Sequence, residues 1–320
     1  MRFFGKTNID FMGPRRKWYT ISMVVIVVGM LSIPLKGGLD FGLDFTGGTE
    51  MVVKFDSALD VGNIRSAVVG AGFTKVEVRT FGDPTQIMIR TESQGEGTVV
   101  GDKIRSIMNE KYASLHPVVL EEQKIGPKVG KELQRDAFYA ILATLAAMLI
   151  YVGFRFKFIY GVGAVVALFH DVLVTLGVIS IVDGLTPFTH FEIDQNMIAA
   201  FLTLVGLSVN DTVVIFDRIR ENQTIHRTMS LSDIMNKSLN ETLSRTIITM
   251  GLIFLVTAML FIFGGEVLRG FAFVICIGTI VGTYSSIYIA SAIVLDYTRG
   301  KQTTKVTTVV SSKPSYETVK

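Results

Sequence analysis

Two short polar clusters interrupt long apolar runs, and they hold the residues whose chemistry a function would have to use. The first is Phe169-His170-Asp171, and the second is Val205-Gly206-Leu207-Ser208-Val209-Asn210-Asp211-Thr212. An ionisable side chain in hydrocarbon costs about 2.5–3.5 kcal/mol even on a lenient insertion scale, so its presence there marks an ion path by default. Asp211 has a candidate partner in Arg245, which opens a later apolar run and whose long side chain can extend inward. A guanidinium favours the charged carboxylate and burial disfavours it, so a small displacement changes proton occupancy. The competing readings are structural. His170 and Asp171 would be a hydrogen-bonded pair holding helices together, and Arg245 an ordinary charge at a membrane boundary. The oxygens of Asp, Asn, Ser and Thr serve a proton or a sodium ion equally well, so the coupling ion is open.

Other chemistry is poorly represented. Gly161-Val162-Gly163 lies inside an apolar run and lacks the third glycine and the preceding strand of a dinucleotide site. No phosphate-binding loop is present, and no His or Cys cluster suggests a metal, so no cofactor and no enzymatic activity are expected. The net charge of +3 is too small to suggest a nucleic-acid partner. The single cysteine, Cys276, excludes an intrachain disulfide.

The elements that must position the two clusters are transmembrane helices. Apolar residues make up 49% of the chain and charged residues 18%, against about 25% charged in soluble proteins, and the apolar residues are bunched. Six runs, 18–35, 136–154, 159–182, 197–216, 246–263 and 270–295, are long enough to span a hydrocarbon core, which takes about 20 residues. Arg15-Arg16-Lys17 precedes the first run, which lacks a small-residue cleavage site and reads as a retained anchor. Basic residues flank the first run (1–17), the second connection, the fourth connection (217–245) and the tail after 299, whereas the third connection carries Asp183, Glu192 and Asp194 and no Lys or Arg. This bias places both termini in the cytoplasm and predicts a multi-pass protein of the cytoplasmic membrane. Counted from the cytoplasmic ends, Asp171 lies about 18 Å deep and Asp211 about 9 Å, marking different levels of one path rather than a contacting pair.

Residues 36–135 form the only soluble stretch large enough for a domain core. Strands are predicted at 51–55, 75–81, 86–91 and 118–123, and helices at 61–72 and 98–112. The order β-α-β-β-α-β is ferredoxin-like, so the fold class is a polytopic α-helical membrane protein with one external α+β domain. Nothing in that domain reads as catalytic, and a docking or gripping module is the plain interpretation. Between the fourth and fifth runs, Leu231, Ile234, Met235, Leu239, Thr242 and Leu243 follow helical spacing after a Ser230 cap. This amphipathic helix either lies at the membrane surface or packs beneath the bundle. The tail 299–320, rich in Thr, Ser and Lys, reads as disordered.

Three stretches then resemble a known family. They are the run Phe41-Gly42-Leu43-Asp44-Phe45-Thr46-Gly47-Gly48-Thr49, the fourth-helix sequence from Val205 to Asn222, and Ser238 to Thr246 leading into the fifth helix. Over nearly the whole chain the sequence resembles the SecD/SecF family of protein-export membrane proteins, on the SecF side, within the resistance-nodulation-division superfamily. The resemblance implies a SecD partner of the same six-helix plan. It also implies association with the SecYEG channel, with SecA in bacteria, and action on unfolded polypeptide in transit, driven by the proton-motive force. By motif matching it assigns proton coupling to Asp211 and Arg245, with Asn210 beside them, and places His170 and Asp171 in a family pattern of less defined role. Asp44, Gly47 and Gly48 fall in the family's signature, where the glycines are expected to permit a tight backbone path. Two rival functions are a small-molecule or lipid exporter of the same superfamily and a non-transporting scaffold for the translocon.

Overall fold

In the computed structural model of the chain, the described residues are 7–73, 75–92, 99–186 and 189–298. Helix α1 (Arg15–Leu35) leads through a short turn, α2 (Leu43–Thr46), into strand β1 (Gly48–Lys54). There follow α3 (Val61–Gly70), β2 (Glu77–Phe81), β3 (Asp83–Thr91), α4 (Val99–Lys111) and β4 (Val118–Ile125). The remainder is helical, with α5 (Pro127–Arg155), α6 (Phe158–Val182), α7 (Gln195–Ile225), α8 (Leu231–Phe263) and α9 (Gly265–Ser285). A π-helical turn, Ser286–Ala290, then carries the last helix on to Thr298.

Six helices are long and apolar enough to cross a membrane, namely α1, α5, α6, α7, α8 and α9 with its extension, as the six apolar runs predict. Among them α6, α7 and α9 form the interior, whereas α1, α5 and α8 leave most of their apolar windows exposed. A helix that is apolar all round yet unburied needs lipid or another chain around it. Several helices extend beyond the apolar runs. Pro127 opens α5 at a position where its missing N–H costs nothing, and Asp194 caps α7 by accepting the Met197 N–H at 2.7 Å. Ser230 caps α8, and with no proline between Leu231 and Phe263 the amphipathic segment and the fifth apolar run form one 33-residue helix.

The four strands form an antiparallel sheet in the order β2-β3-β1-β4. Alternation along the strands separates two faces. Met51 and Val53 of β1 and Phe55 just after it, with Ile87 and Ile89 of β3, face Ile64 and Val68 of α3 and Ile104 and Met108 of α4, and together they form a core separate from that of the helix bundle. The opposite face carries charge. Glu50 is registered against Arg90, whose Nη2 donates to Glu50 Oε2 at 2.6 Å and to Glu192 Oε2 at 2.5 Å. Arg79 Nη2 donates to Glu192 Oε1 at 2.7 Å, and its Nη1 lies 3.8 Å from Oε1 of Glu266, which in turn pairs with Arg269. Glu192 precedes α7 and Glu266 opens α9, so this ion-pair network joins the sheet to the helix bundle. Burial works against the charge of Arg90, and the carboxylates of Glu192, Glu50 and Glu77 more than offset it, raising its pKa. Burial also raises Glu50, with Arg90 opposing only in part.

At the other end of the bundle the chain before α1 is strapped to α8. Asn236 Oδ1 accepts the N–H groups of Phe11 and Met12 at 3.0 and 2.9 Å. Asn240 brackets Ile9, accepting its N–H at 2.9 Å and donating to its carbonyl at 2.8 Å. Phe11 and Met12 are buried in the main helical core.

Candidate functional site: two buried carboxylates among hydroxyls

Five helices converge on the polar clusters. Asp211, on the buried face of α7, is 5% exposed and accepts two hydrogen bonds. Thr246 Oγ1 of α8 donates to its Oδ1 at 2.6 Å, and Ser286 Oγ donates to its Oδ2 at 2.8 Å. Ser286 begins the π-helical turn, a local widening of the helix that is common at functional sites. The Ser286 carbonyl accepts from Ser291 Oγ at 2.9 Å, five residues on, which satisfies backbone that the widened turn releases. Sequence reasoning missed Ser286; the signal was the polar run Thr283-Tyr284-Ser285-Ser286 inside an apolar helix.

Asp171 of α6 is 1% exposed and has its own set of partners. Its Oδ1 lies 3.1 Å from His170 Nδ1, and its Oδ2 accepts from Ser208 Oγ at 2.5 Å. Ser208 lies one turn before Asp211 on α7, so the two carboxylates stand at successive levels linked through one helix. His170 reaches the other way, its Nε2 lying 3.0 Å from Ser22 Oγ of α1.

Asn210 and Arg245 are placed differently. Both are exposed, Asn210 on the outer face of α7 and Arg245 one residue before Thr246 on α8. The groups bonded to Asp211 are the two hydroxyls, and Arg245 stands outside that shell. Each Asp211 oxygen thus receives one neutral donor. Neutral donors hold either protonation state, because a hydroxyl can turn and accept from a protonated carboxyl. Among the described residues no group of three His, Cys, Asp or Glu side chains is placed to hold a metal ion.

Asp44, Gly47 and Gly48 lie at the joint between the sheet and the helices. Asp44 Oδ2 accepts the Gln195 N–H at 3.0 Å at the start of α7, and the Gly42 N–H donates to the Ile193 carbonyl at 2.9 Å. Gly47, at φ 69° and ψ 162°, lies in backbone territory that is essentially glycine-only. Gly48 is at φ 141°, and a Cβ there would stand 2.5 Å from the Thr91 carbonyl oxygen.

Comparison with known proteins matches this arrangement to one family. Residues 104–300 match "Protein export membrane protein SecD/SecF, C-terminal", and residues 35–58, which span the Asp44–Gly48 joint, match the "SecD/SecF GG Motif". The protein translocase subunit SecF of Rhodothermus marinus is 44% identical over 92% of this chain and 95% of its own length. The SecF of Escherichia coli O157:H7 is 37% identical over 91% of this chain and 88% of its own length. The crystal structure of SecDF, a translocon-associated membrane protein from Thermus thermophilus, superimposes with a TM-score of 0.79 at 33% identity over 92% of this chain. This chain spans 39% of that longer SecDF chain. With the five membrane helices from α5 onward, the glycine joint and the fourth-helix carboxylate cluster inside the matched regions, the chain belongs to the SecD/SecF protein-export family, on its SecF side.

Proposed function

We propose that the chain is the SecF subunit of a SecDF accessory complex, promoting protein export across the cytoplasmic membrane at the expense of the proton-motive force. The single observation that carries this reading is Asp211, an ionisable group buried in the bundle and held only by hydroxyls. Such a group binds a proton with no charged group bonded to it, and exchange between conformations that hold the proton differently is what converts a gradient into movement. Asn210 and Arg245 flank it on the outer surface, where a SecD half of the same plan would close the path. The partners in this reading are SecD, the SecYEG channel with SecA in bacteria, unfolded polypeptide in transit and the lipid bilayer. Both termini face the cytoplasm, and the sheet with α3 and α4 is an external ferredoxin-like domain that meets the polypeptide.

The test is export of a reporter preprotein by membrane vesicles carrying Asp211→Asn, with and without a proton gradient. Asn keeps the shape and an acceptor but cannot exchange a proton. The gradient-dependent component is expected to fall at least tenfold, while the ATP-driven component and assembly with the partner persist. Export that stays gradient-dependent in Asp211→Asn would favour the scaffold reading and leave the cluster as helix-packing glue.

A further inference from the structure

Ser22 and Gly29 are the buried residues of α1, a helix otherwise turned outward. Gly29 lies against Gly177 of α6, while Ser22 sits at the centre of a chain of hydrogen bonds. Tyr284 of the last helix donates its hydroxyl proton to the Trp18 carbonyl at 2.9 Å, because a carbonyl can only accept. Ser22 Oγ lies 2.7 Å from Tyr284 Oη and 3.0 Å from His170 Nε2. Since the tyrosine has used its one proton, Ser22 donates to Tyr284. Ser22 has then used its own, so His170 Nε2 carries a hydrogen and donates to Ser22. On the other side of the imidazole, Nδ1 faces Asp171 Oδ1 at 3.1 Å, and Ser208 donates to Asp171 Oδ2. Two lone pairs facing each other at that distance would repel, so one more proton lies between Nδ1 and Oδ1. Whether it is counted on the imidazole or on the carboxyl, the pair is neutral overall and holds one proton beyond the Nε2–H.

We propose that the His170–Asp171 pair is a proton-binding site in its own right, filled in this conformation, and that emptying it removes one of the hydrogen bonds holding α1 to the last helix. One H⁺ leaves to solvent, no electron moves, and the pair passes from neutral to a charge of −1. The single remaining N–H must then face the Asp171 carboxylate, so the imidazole changes tautomer and Nε2 becomes an acceptor. Ser22 turns its proton toward Nε2, and Tyr284 is left with one proton for two acceptors, the Trp18 carbonyl and Ser22 Oγ. Either choice loses a bond between α1 and the last helix. Because α1 leads directly into the joint and the sheet, this gives the site a mechanical output. The proton count and the helix contact stand on geometry alone, and only their use in export rests on the function proposed above. The titratable groups around the chain of bonds are Tyr284 and Tyr288 on the last helix, Asp211 one turn along α7, and, near Trp18, Asp10 of the strap and Asp296 with its partners Arg15 and Tyr19.

The protein supplies its own reporter. Trp18 is the only tryptophan, stacked on Tyr288 at 4.7 Å and edge-on to Tyr284 at 5.5 Å. Its emission is to be titrated on the full chain in lipid nanodiscs over about pH 4 to 9, a range in which histidine and carboxyl groups exchange protons and tyrosine does not. A single-proton step is expected in the unmodified chain, lost in Ser22→Ala and Asp171→Asn, and retained in Ser22→Thr, Asp10→Asn and Asp211→Asn. Loss of packing alone would not be rescued by the threonine hydroxyl, so the serine pair decides the matter even if Asp171→Asn fails to assemble. No step in the unmodified chain, a step that survives Ser22→Ala, or a step that disappears with Asp211→Asn or Asp10→Asn would overturn the proposal. Unchanged gradient-dependent export in Asp211→Asn would instead sink the export reading and leave this step where it is.

Discussion

Replacing Gly48 by alanine is expected to destabilise the joint between the sheet and the bundle by about 2–5 kcal/mol, combining backbone strain with overpacking. At φ 141° an L side chain is strained in any surroundings, and here the added carbon meets a backbone oxygen, that of Thr91, at 2.5 Å. A side chain in the way could turn aside. The Thr91 carbonyl belongs to a strand paired with β1 at Thr49, so moving it opens the ladder that starts the sheet. Limited proteolysis and a thermal melt of the full chain should show cleavage between α1 and β1 and an earlier loss of structure. Gly251→Ala is the matched control. That glycine is inside α8 with nothing within 4 Å of the added carbon, and the change should be neutral or favourable by about 0.5–1 kcal/mol. Equal melting of the two variants would refute the steric account of the joint.

The second large effect is expected at Arg90. Its side chain is 13% exposed and bonds two carboxylates that are 17% and 16% exposed, Glu50 and Glu192. Arg90→Met should cost about 3 kcal/mol, because removing one partner of a buried pair strands the other charges. Most of that loss should return on acidification, and the sign follows from Glu50. Burial already raises its pKa in the folded state, so the folded protein binds more protons than the unfolded chain in the window just above the ordinary carboxylate range. Stability therefore falls as pH rises through that window and recovers as pH falls, and without Arg90 the shift and the recovery both grow. Melting of Arg90→Met across that range, alone and combined with Glu50→Gln, checks this. A variant with no extra pH dependence would show that Arg90 acts by packing rather than by charge.

Much of this architecture was legible in the sequence because its signals are local. Twenty-residue apolar runs, a capping serine at 230 and strand alternation in 51–55 and 86–91 each reflect a rule that operates within one element. The two buried aspartates were legible for the same reason, since a charge amid leucines and valines is conspicuous wherever the helices pack. Their partners were not. Ser22, Thr246 and Ser286 reach the site from three other helices, and which hydroxyl meets which carboxylate depends on rotation, depth and the π-helical turn at 286, none of which a single-helix pattern encodes. Ser208 shows the gap most clearly. The rise per residue put Asp171 and Asp211 at separate depths, but only the packed bundle reveals that a residue one turn away from one bonds the other. The continuity of α8 was within reach, since no proline separates the amphipathic segment from the span. The amphipathic periodicity instead reads as a separate helix, either at the membrane surface or packed beneath the bundle.

That continuity sets a mechanical ratio. At 1.5 Å per residue α8 is about 50 Å long, against a hydrocarbon thickness of about 30 Å. Thr246, the residue of α8 that bonds Asp211, sits near its midpoint, and Asn236 and Asn240, which hold the strap before α1, lie on the arm beyond. A rod pivoting near its middle moves its ends in opposite directions. A tilt of roughly ten degrees about Thr246 sweeps Asn236, ten residues or about 15 Å away, through between 2 and 3 Å, about the length of a hydrogen bond. The strap is tied to that arm and runs on into α1, so a tilt of α8 about the carboxylate site would pull on the helix leading to the sheet.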